Sequence, residues 1–220
     1  MNTELQKIET LLGRQDPIKW VFTGDSITHG ALHTMGWRDY TELFSERIRY
    51  EMARTRDAIL KTAISGWRID QILEDLHWNV LQYQPNVVSI AVGMNDCNNG
   101  PAGLELFQKQ YLEVIDTIRN KTSAAIVVHT PPQILKLDEA RWPLLPSYVD
   151  AIRKIAQKSG ALLIDDYELW LAAEKRGVLP YWLSDSIHPN ECGHRAMAHL
   201  MMKKLNLWKD DSFVCRLFVP

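Results

Sequence analysis

Four short groups of polar residues carry side chains that could act together on a carbonyl carbon. Ser26 stands in the stretch VFTGDSITHG, directly behind an apolar run. A serine hydroxyl is a weak nucleophile unless a base lies within hydrogen-bonding distance. Asp185 and His188 are three residues apart in LSDSIHPN, which lets the carboxylate accept a hydrogen bond from the imidazole. The other imidazole nitrogen would then be free to act as the base.

Two further positions could stabilise the negative charge that develops when a serine attacks a carbonyl group. Gly66 in AISGWR lets the backbone approach a ligand closely, so its N–H group is a candidate donor. Asn95 in VGMNDCNNG offers a side-chain N–H group for the same charge. Each group taken alone also has the composition of an ordinary turn. Because all four follow in order at the ends of predicted strands, we interpret them as parts of one site.

The elements that would position these groups are short apolar runs alternating with longer amphipathic segments. The runs are rich in branched residues and almost continuously apolar, which is typical of parallel strands covered on both faces. Strands are predicted at 18–24, 58–65, 86–93, 124–130 and 161–166. Helices are predicted at 3–13, 38–54, 69–82, 103–120, 146–159, 167–176 and 191–204. This order predicts an α/β fold, a three-layer α/β/α sandwich with about five parallel strands.

The chain has no internal repeat, low-complexity tract or long linker, which predicts a single domain over residues 1–220. Residues 1–16 would form a helical N-terminal extension. The apolar tail at 205–220 would pack on its own domain or on a partner subunit, and in the second case it would form a homo-oligomer.

Ligands of such folds bind beyond the carboxyl ends of the strands, so the chemistry is expected in the long loops there. These loops are predicted at 25–37, 130–145 and 177–190. The second of them, which contains PPQILKLDEARWPLLP, is either a flap over the site or a proline-stiffened connection.

Composition and charge exclude several classes of function. The 220 residues are 46% hydrophobic and 24% charged, with a formal net charge of −2, so no nucleic-acid or anionic-membrane partner is indicated. No apolar run is long enough to insert stably into a membrane. No basic stretch followed by an apolar one opens the chain, and the three widely spaced cysteines indicate reduced thiols. We therefore expect a cytoplasmic protein.

The four groups resemble the signature blocks of the SGNH subgroup of the GDSL esterase and lipase family. Ser26 lies in GDS, Gly66 in SGW, Asn95 in GMND and His188 in DSIH. The resemblance extends over about residues 21–194, and four ordered motifs make it specific. It implies a flavodoxin-like sandwich and a carboxylic ester hydrolase that needs no metal or organic cofactor. The sequence GDSIT lacks the second glycine of GxSxG, so the nucleophile elbow of the α/β-hydrolases is excluded.

The resemblance also implies a role for each matched residue. Ser26 would be the nucleophile and His188 the general base, with Asp185 orienting the imidazole. The backbone N–H groups of Ser26 and Gly66 and the side chain of Asn95 would form the oxyanion hole.

Several neighbouring residues are interpreted as supporting or lining the site. Asp25 would hold the turn at the nucleophile by accepting hydrogen bonds from backbone N–H groups. Trp67 and Asp96 stand beside the oxyanion positions. His29 and His33 follow the nucleophile and either line the cleft or are solvated loop residues.

The histidines near the C-terminus offer a zinc site as an alternative to the serine mechanism. His188, His194 and His199, with Cys192, form a cluster in the sequence whose spacings match none of the common zinc patterns. No metal ligand is therefore predicted. Cys97 is interpreted as a small filler residue, because no second cysteine is near it in the sequence.

The predicted function is hydrolysis of a small-molecule carboxylic ester, preferably a short-acyl or carbohydrate-type O-acetyl ester. A lysophospholipase or thioesterase, which would need a longer apolar groove, and an acyltransferase are the alternatives. A catalytically inactive module that binds an ester or a sugar is the alternative outside enzymes.

Overall fold

Five parallel strands form the central sheet of the computed structural model, which describes residues 2–220. The strands are β1 (Lys19–Gly24), β2 (Ala58–Lys61), β3 (Val87–Ala91), β4 (Ala125–His129) and β5 (Leu162–Ile164). Their order across the sheet is β2-β1-β3-β4-β5, and every neighbouring pair is parallel. The connections therefore change direction between β1 and β3, which is the place where flavodoxin-like sheets bind their ligands.

Helices cover both faces of this sheet. They are α1 (Thr3–Leu12), α2 (Ser26–His29), α3 (Tyr40–Glu46), α4 (Ile69–Glu74), α5 (Leu76–Asn79), α6 (Gly100–Lys121), α7 (Leu145–Ser159), α8 (Asp166–Lys175) and α9 (Glu191–Lys204). Helix α9 contacts α3 and α8 in one layer, and α6 contacts α4 and α7 in the other. The predicted three-layer α/β/α sandwich is confirmed.

The strands differ most from their predicted bounds in β2, and β5 keeps only Leu162–Ile164 of the predicted 161–166. Strand β2 is at the edge of the sheet and ends at Lys61, although residues 58–65 were predicted. The backbone beyond it still donates from Thr62 to Phe22 and from Ile64 to Gly24. The apolar residues that suggested a longer strand therefore run alongside β1 without forming a regular strand ladder with it.

Two predicted helices are interrupted. The segment 69–82 divides into α4, α5 and a 3-10 turn at Leu81–Tyr83, and the freed carbonyl of Ile72 accepts a hydrogen bond from the Asn79 side chain at 3.2 Å. The segment 38–54 contains α3, which begins with a capping box between Asp39 and Glu42, and continues as a π-helical turn at Arg47–Glu51.

The C-terminal segment packs against its own chain. Val214 and Cys215 are buried, and the Val214 carbonyl accepts a hydrogen bond from His199 Nε2 at 2.9 Å. The indole N–H group of Trp182 donates to the carbonyl oxygen of Pro220 at 3.2 Å. A homo-oligomer through this tail, like the single-domain assignment with its N-terminal extension, stays a prediction.

Within residues 2–220 there is no helix with both the length and the apolar character needed to cross a membrane. The cytoplasmic location stays a prediction.

Candidate active site

The loop after β1 presents Ser26 at the start of a one-turn helix. Asp25 precedes this helix, and its carboxylate accepts a hydrogen bond from the backbone N–H group of Ile27 at 3.0 Å. Helix α2 ends at Gly30, whose φ of 71° lies in the left-handed region. This turn of helix, within a segment that was predicted to be irregular, sets the direction of the Ser26 side chain.

The loop before α9 brings a histidine and a carboxylate to that serine. The distance between Ser26 Oγ and His188 Nε2 is 2.9 Å, and the distance between His188 Nδ1 and Asp185 Oδ2 is 2.7 Å. Since Asp185 accepts at Nδ1, the imidazole nitrogen that faces the hydroxyl is available as an acceptor. The structure thus joins three residues from opposite ends of the sequence into one hydrogen-bonded chain.

Asp185 also organises its own loop. Its second oxygen accepts the backbone N–H groups of Ile187 and His188, each at 2.7 Å. Partial burial raises the pKa of Asp185, but these two N–H groups and the His188 ring outweigh that effect and hold the pKa below its usual value. The carboxylate is therefore ionised at neutral pH.

The three predicted oxyanion donors lie in adjacent loops after β1, β2 and β3. Gly66 has a φ of 85°, and a Cβ atom placed on it would have no heavy atom within 4 Å. Its left-handed backbone favours glycine, and it borders open space. The Asn95 side chain donates one N–H group to the Trp67 carbonyl at 3.1 Å, which leaves its second N–H group for a ligand.

The residues predicted to support the site tie these loops together. Asp96 is buried and accepts the backbone N–H group of Ile69 at 2.9 Å. Because Ile69 is the first residue of α4, this bond ties the loop after β3 to the start of the helix that follows β2. His29 Nδ1 accepts the backbone N–H group of Ser65 at 3.3 Å and lies 2.9 Å from its hydroxyl oxygen. These contacts hold the backbone on both sides of Gly66. Trp67 takes part through its carbonyl oxygen.

Two buried carboxyl groups lie behind the site. Desolvation by burial raises the pKa of Asp25 to about 7 and that of Asp96 to about 6, and each accepts one backbone N–H group that opposes the shift. Both residues therefore carry a structural hydrogen bond, and neither touches Ser26 Oγ or His188 as a third member of the chain would.

The histidines that suggested zinc are arranged differently. His194 is buried and lies 3.1 Å, between Nε2 atoms, from His33. His199 donates instead to the carbonyl of Val214. In the part of the chain that the structure describes, no three His, Cys, Asp or Glu side chains are grouped so that they could hold a metal ion.

His33 contacts both His188 and His194, and the sequence did not predict these contacts. Its ring is stacked on that of His188, with ring centroids 4.8 Å apart and an interplanar angle of 20°. The sequence placed His33 near the nucleophile, but the separation of 161 positions from His194 gave no signal for their contact.

A cleft of about 440 Å³ opens directly onto Ser26 and His188. Its lining includes the apolar side chains of Ala31, Leu32 and Met35 and the hydroxyl groups of Ser65 and Ser184. The loop 130–145 contacts the loop that carries Asp185 and His188, because the backbone N–H group of Leu135 donates to the carbonyl of Ser186 at 2.9 Å.

Comparison with solved structures gives the same fold. A GDSL-like lipase structure from Parabacteroides merdae superposes with a TM-score of 0.77 at 22% identity, covering 90% of this chain and 99% of that one. The acetylxylan esterase Axe2 from Geobacillus stearothermophilus gives 0.72 at 18% identity, covering 88% and 97%. LAE5, an α/β hydrolase enzyme from the metagenome of Lake Arreo, Spain, gives 0.75 at 20% identity, covering 90% and 100%.

Comparison at the level of sequence identifies the family. An uncharacterized protein of Mycoplasma pneumoniae is 26% identical over 164 residues, a match that spans 71% of this chain but only 18% of that protein. The model of the GDSL-like Lipase/Acylhydrolase family matches residues 22–196, which contain all the residues placed at the site above. This chain belongs to that family, a family of carboxylic ester hydrolases.

Proposed function

We propose that this protein hydrolyses a short-acyl or O-acetyl ester through an acyl-enzyme intermediate on Ser26. The observation that carries the proposal is the hydrogen-bonded chain from Ser26 through His188 to Asp185, with distances of 2.9 and 2.7 Å. A hydroxyl, an imidazole and an ionised carboxylate in this order are what nucleophilic catalysis by serine requires.

The geometry supports a mechanism in two halves. Ser26 Oγ attacks the ester carbonyl carbon while His188 Nε2 takes its proton, and Asp185 stabilises the imidazolium that results. The N–H groups of Ser26, Gly66 and Asn95 bind the oxyanion. The tetrahedral intermediate then collapses, and His188 gives the proton to the departing alcohol.

Water completes the cycle. It attacks the carbonyl carbon of the acyl-enzyme as His188 takes one of its protons. The second tetrahedral intermediate releases the acid and returns the proton to Ser26 Oγ. One ester and one water thus yield one acid and one alcohol.

The cleft supports an uncharged substrate. Apart from Asp185 and His188, the residues that line it are neutral hydroxyl, apolar and histidine side chains. The acetylxylan esterase that shares this fold supports an O-acetyl sugar as the substrate class. The exposed apolar side chains of Leu32 and Met35 favour the second candidate, a lysophospholipase or thioesterase that takes a longer chain.

The mechanism is tested by Ser26→Ala with a short p-nitrophenyl ester as substrate. We expect kcat to fall by a factor on the order of 10⁴ or more, and labelling by a fluorophosphonate to disappear.

Asn95→Ala should lower kcat about 10²- to 10³-fold, because one oxyanion donor is lost. Asn98→Ala, an exposed asparagine of the same loop, is the matched control. Full activity in Ser26→Ala would refute the mechanism, and a wild-type protein that neither turns over nor is labelled would favour an inactive binding module.

The substrate is tested by a series of esters from acetyl to palmitoyl, run beside acetylated xylo-oligosaccharides. A maximum at acetyl and release of acetate from the sugar would support the proposal. A maximum at long chains would favour the lipase-like alternative. Transfer of the acyl group to added sugar or glycerol, detected by product analysis, would identify an acyltransferase.

A further inference from the structure

Next to the proposed base His188 lie two further histidines, His33 and His194, that the mechanism does not use. His33 is 9% exposed and His194 is fully buried. The His33 ring lies between those of the other two histidines, 4.8 Å from His188 and 5.3 Å from His194, with an interplanar angle of 20° to each. The base is therefore covered on one face by an imidazole.

The protonation of this pair follows from the hydrogen bonds around it. The backbone N–H group of Tyr40 donates to His194 Nδ1 at 3.3 Å, so this nitrogen carries no proton. The proton of neutral His194 is then on Nε2, which donates to His33 Nε2 at 3.1 Å. His33 in turn holds its own proton on Nδ1. A second proton on either ring would set two N–H groups against each other.

The surrounding charges do not overturn this arrangement. Burial is the largest influence, and it lowers the pKa of His33 to about 4 and that of His194 to about 3. Among the titratable groups that face the pair, His188 lowers both pKa values and Asp39 raises both. Asp185 raises the pKa of His33. Lys61, which forms an ion pair with Asp39, lowers that of His194.

We propose that His33 and His194 are positioning residues that keep an uncharged imidazole stacked on His188, with the Tyr40 backbone fixing the tautomers of both. The inference rests on the proposed function, in which His188 becomes an imidazolium in each half-reaction. A neutral ring stabilises that cation and excludes water from one face of it. A charged neighbour at the same place would oppose its formation.

The first test measures the protonation states directly and needs no substrate. In the full chain labelled with ¹⁵N-histidine, the ring nitrogens of His33 and His194 should show fixed neutral tautomers from about pH 5 to 8, with the His33 proton on Nδ1. In His194→Ala, His33 loses its donor and should begin to titrate within that range. Titration of His33 near pH 6.5 in the wild-type protein would overturn the proposal, whether or not the protein hydrolyses esters.

The second test uses the pH profile of kcat/KM. His33→Phe keeps a flat, uncharged ring and should retain most of the activity, whereas His33→Ala should lower kcat about 3- to 10-fold. His33→Lys introduces a cation and should move the acidic limb to lower pH by about one unit. His199→Ala, a histidine on the same helix as His194 that faces the C-terminal segment, is the control.

The two tests separate the possible failures. Equal activity in the Phe and Ala variants of His33, or an unmoved acidic limb in the Lys variant, would reduce His33 to a packing residue. If the wild-type protein hydrolyses no ester, the proposed function fails, and the titrations still decide whether a neutral histidine pair covers His188.

Discussion

Two histidine–aspartate pairs of this protein have almost the same geometry and different surroundings. His188 Nδ1 and Asp185 Oδ2 are 2.7 Å apart, with side chains 25% and 52% exposed. His129 Nδ1 and Asp166 Oδ2 are 2.8 Å apart, with side chains 1% and 0% exposed. His129 ends β4, so both pairs belong to the carboxyl side of the sheet. Geometry alone therefore does not identify the pair that could act on a substrate.

The difference is in what each pair faces. His188 Nε2 lies beside Ser26 Oγ and an open cleft, whereas His129 Nε2 has no hydrogen-bond partner within residues 2–220. Burial is the dominant influence at Asp166 and raises its pKa, while backbone N–H groups hold the pKa of Asp185 low. A His–Asp pair can orient a base only where a reacting group can reach the second nitrogen.

The largest expected effect concerns the exposed pair, and it is a loss of activity. Asp185→Asn should lower kcat about 10⁴-fold, because an amide no longer enforces the tautomer that presents an acceptor to Ser26. The free energy of unfolding should change by less than about 1 kcal/mol, since the side chain is half exposed. Kinetics on a short ester and urea unfolding of the same preparation measure both. An unchanged kcat would remove the proposed role of Asp185.

The buried pair should respond in the opposite way. Asp166→Ala leaves His129 Nδ1 buried without a partner, so we expect a loss of about 3 kcal/mol in the free energy of unfolding. The kcat of the folded fraction should stay within about 2-fold of wild type, because no group at the cleft is altered. Urea unfolding with activity measured in parallel tests this. Asp150→Ala, which removes an exposed ion-pair partner of Arg153, should cost less than about 1 kcal/mol. A strong loss of kcat in Asp166→Ala would mean that the buried pair also serves the reaction.

The fold and the family could be predicted from the sequence because both are indicated by patterns of residues that are close together in the chain. Nearly continuous apolar runs indicated buried parallel strands, and the blocks around Ser26 and His188 are contiguous motifs. Both predictions are confirmed, whereas the roles of the individual site residues stay predictions.

What the sequence could not predict depends on contacts between distant segments. Nothing in the sequence shows that His33 stacks on His188, because the two residues lie in separate loops that meet only in the folded chain. The same holds for Trp182, which stands in the loop predicted at 177–190 but is buried against Trp170 with ring centroids 4.9 Å apart. The division of the helix predicted at 69–82 is accompanied by a hydrogen bond from the Asn79 side chain to the Ile72 carbonyl, which hydrophobic periodicity does not predict.

Asp25 is another buried carboxyl group, and its substitution gives the smallest expected effect, a change in how the free energy of unfolding depends on pH. Burial raises the pKa of Asp25 to about 7 from the usual 3.8, so the folded state binds a proton that the unfolded state has already lost between those values. Its contribution to stability is therefore greatest at low pH and is lost as the pH rises through about 7. Asn is an equally good first-turn cap, so Asp25→Asn removes the charge and keeps the bond to Ile27.

We expect Asp25→Asn to gain about 1 to 2 kcal/mol in unfolding free energy relative to wild type between pH 5 and pH 8. This is less than the full shift implies, because a buried carboxylate recovers part of its solvation through local relaxation. Urea unfolding of both proteins at the two pH values measures the change. Asp211→Asn, an exposed carboxyl group, should show no such gain. A difference between Asp25→Asn and wild type that is the same at both pH values would mean that Asp25 ionises in the folded protein as easily as an exposed carboxyl group does.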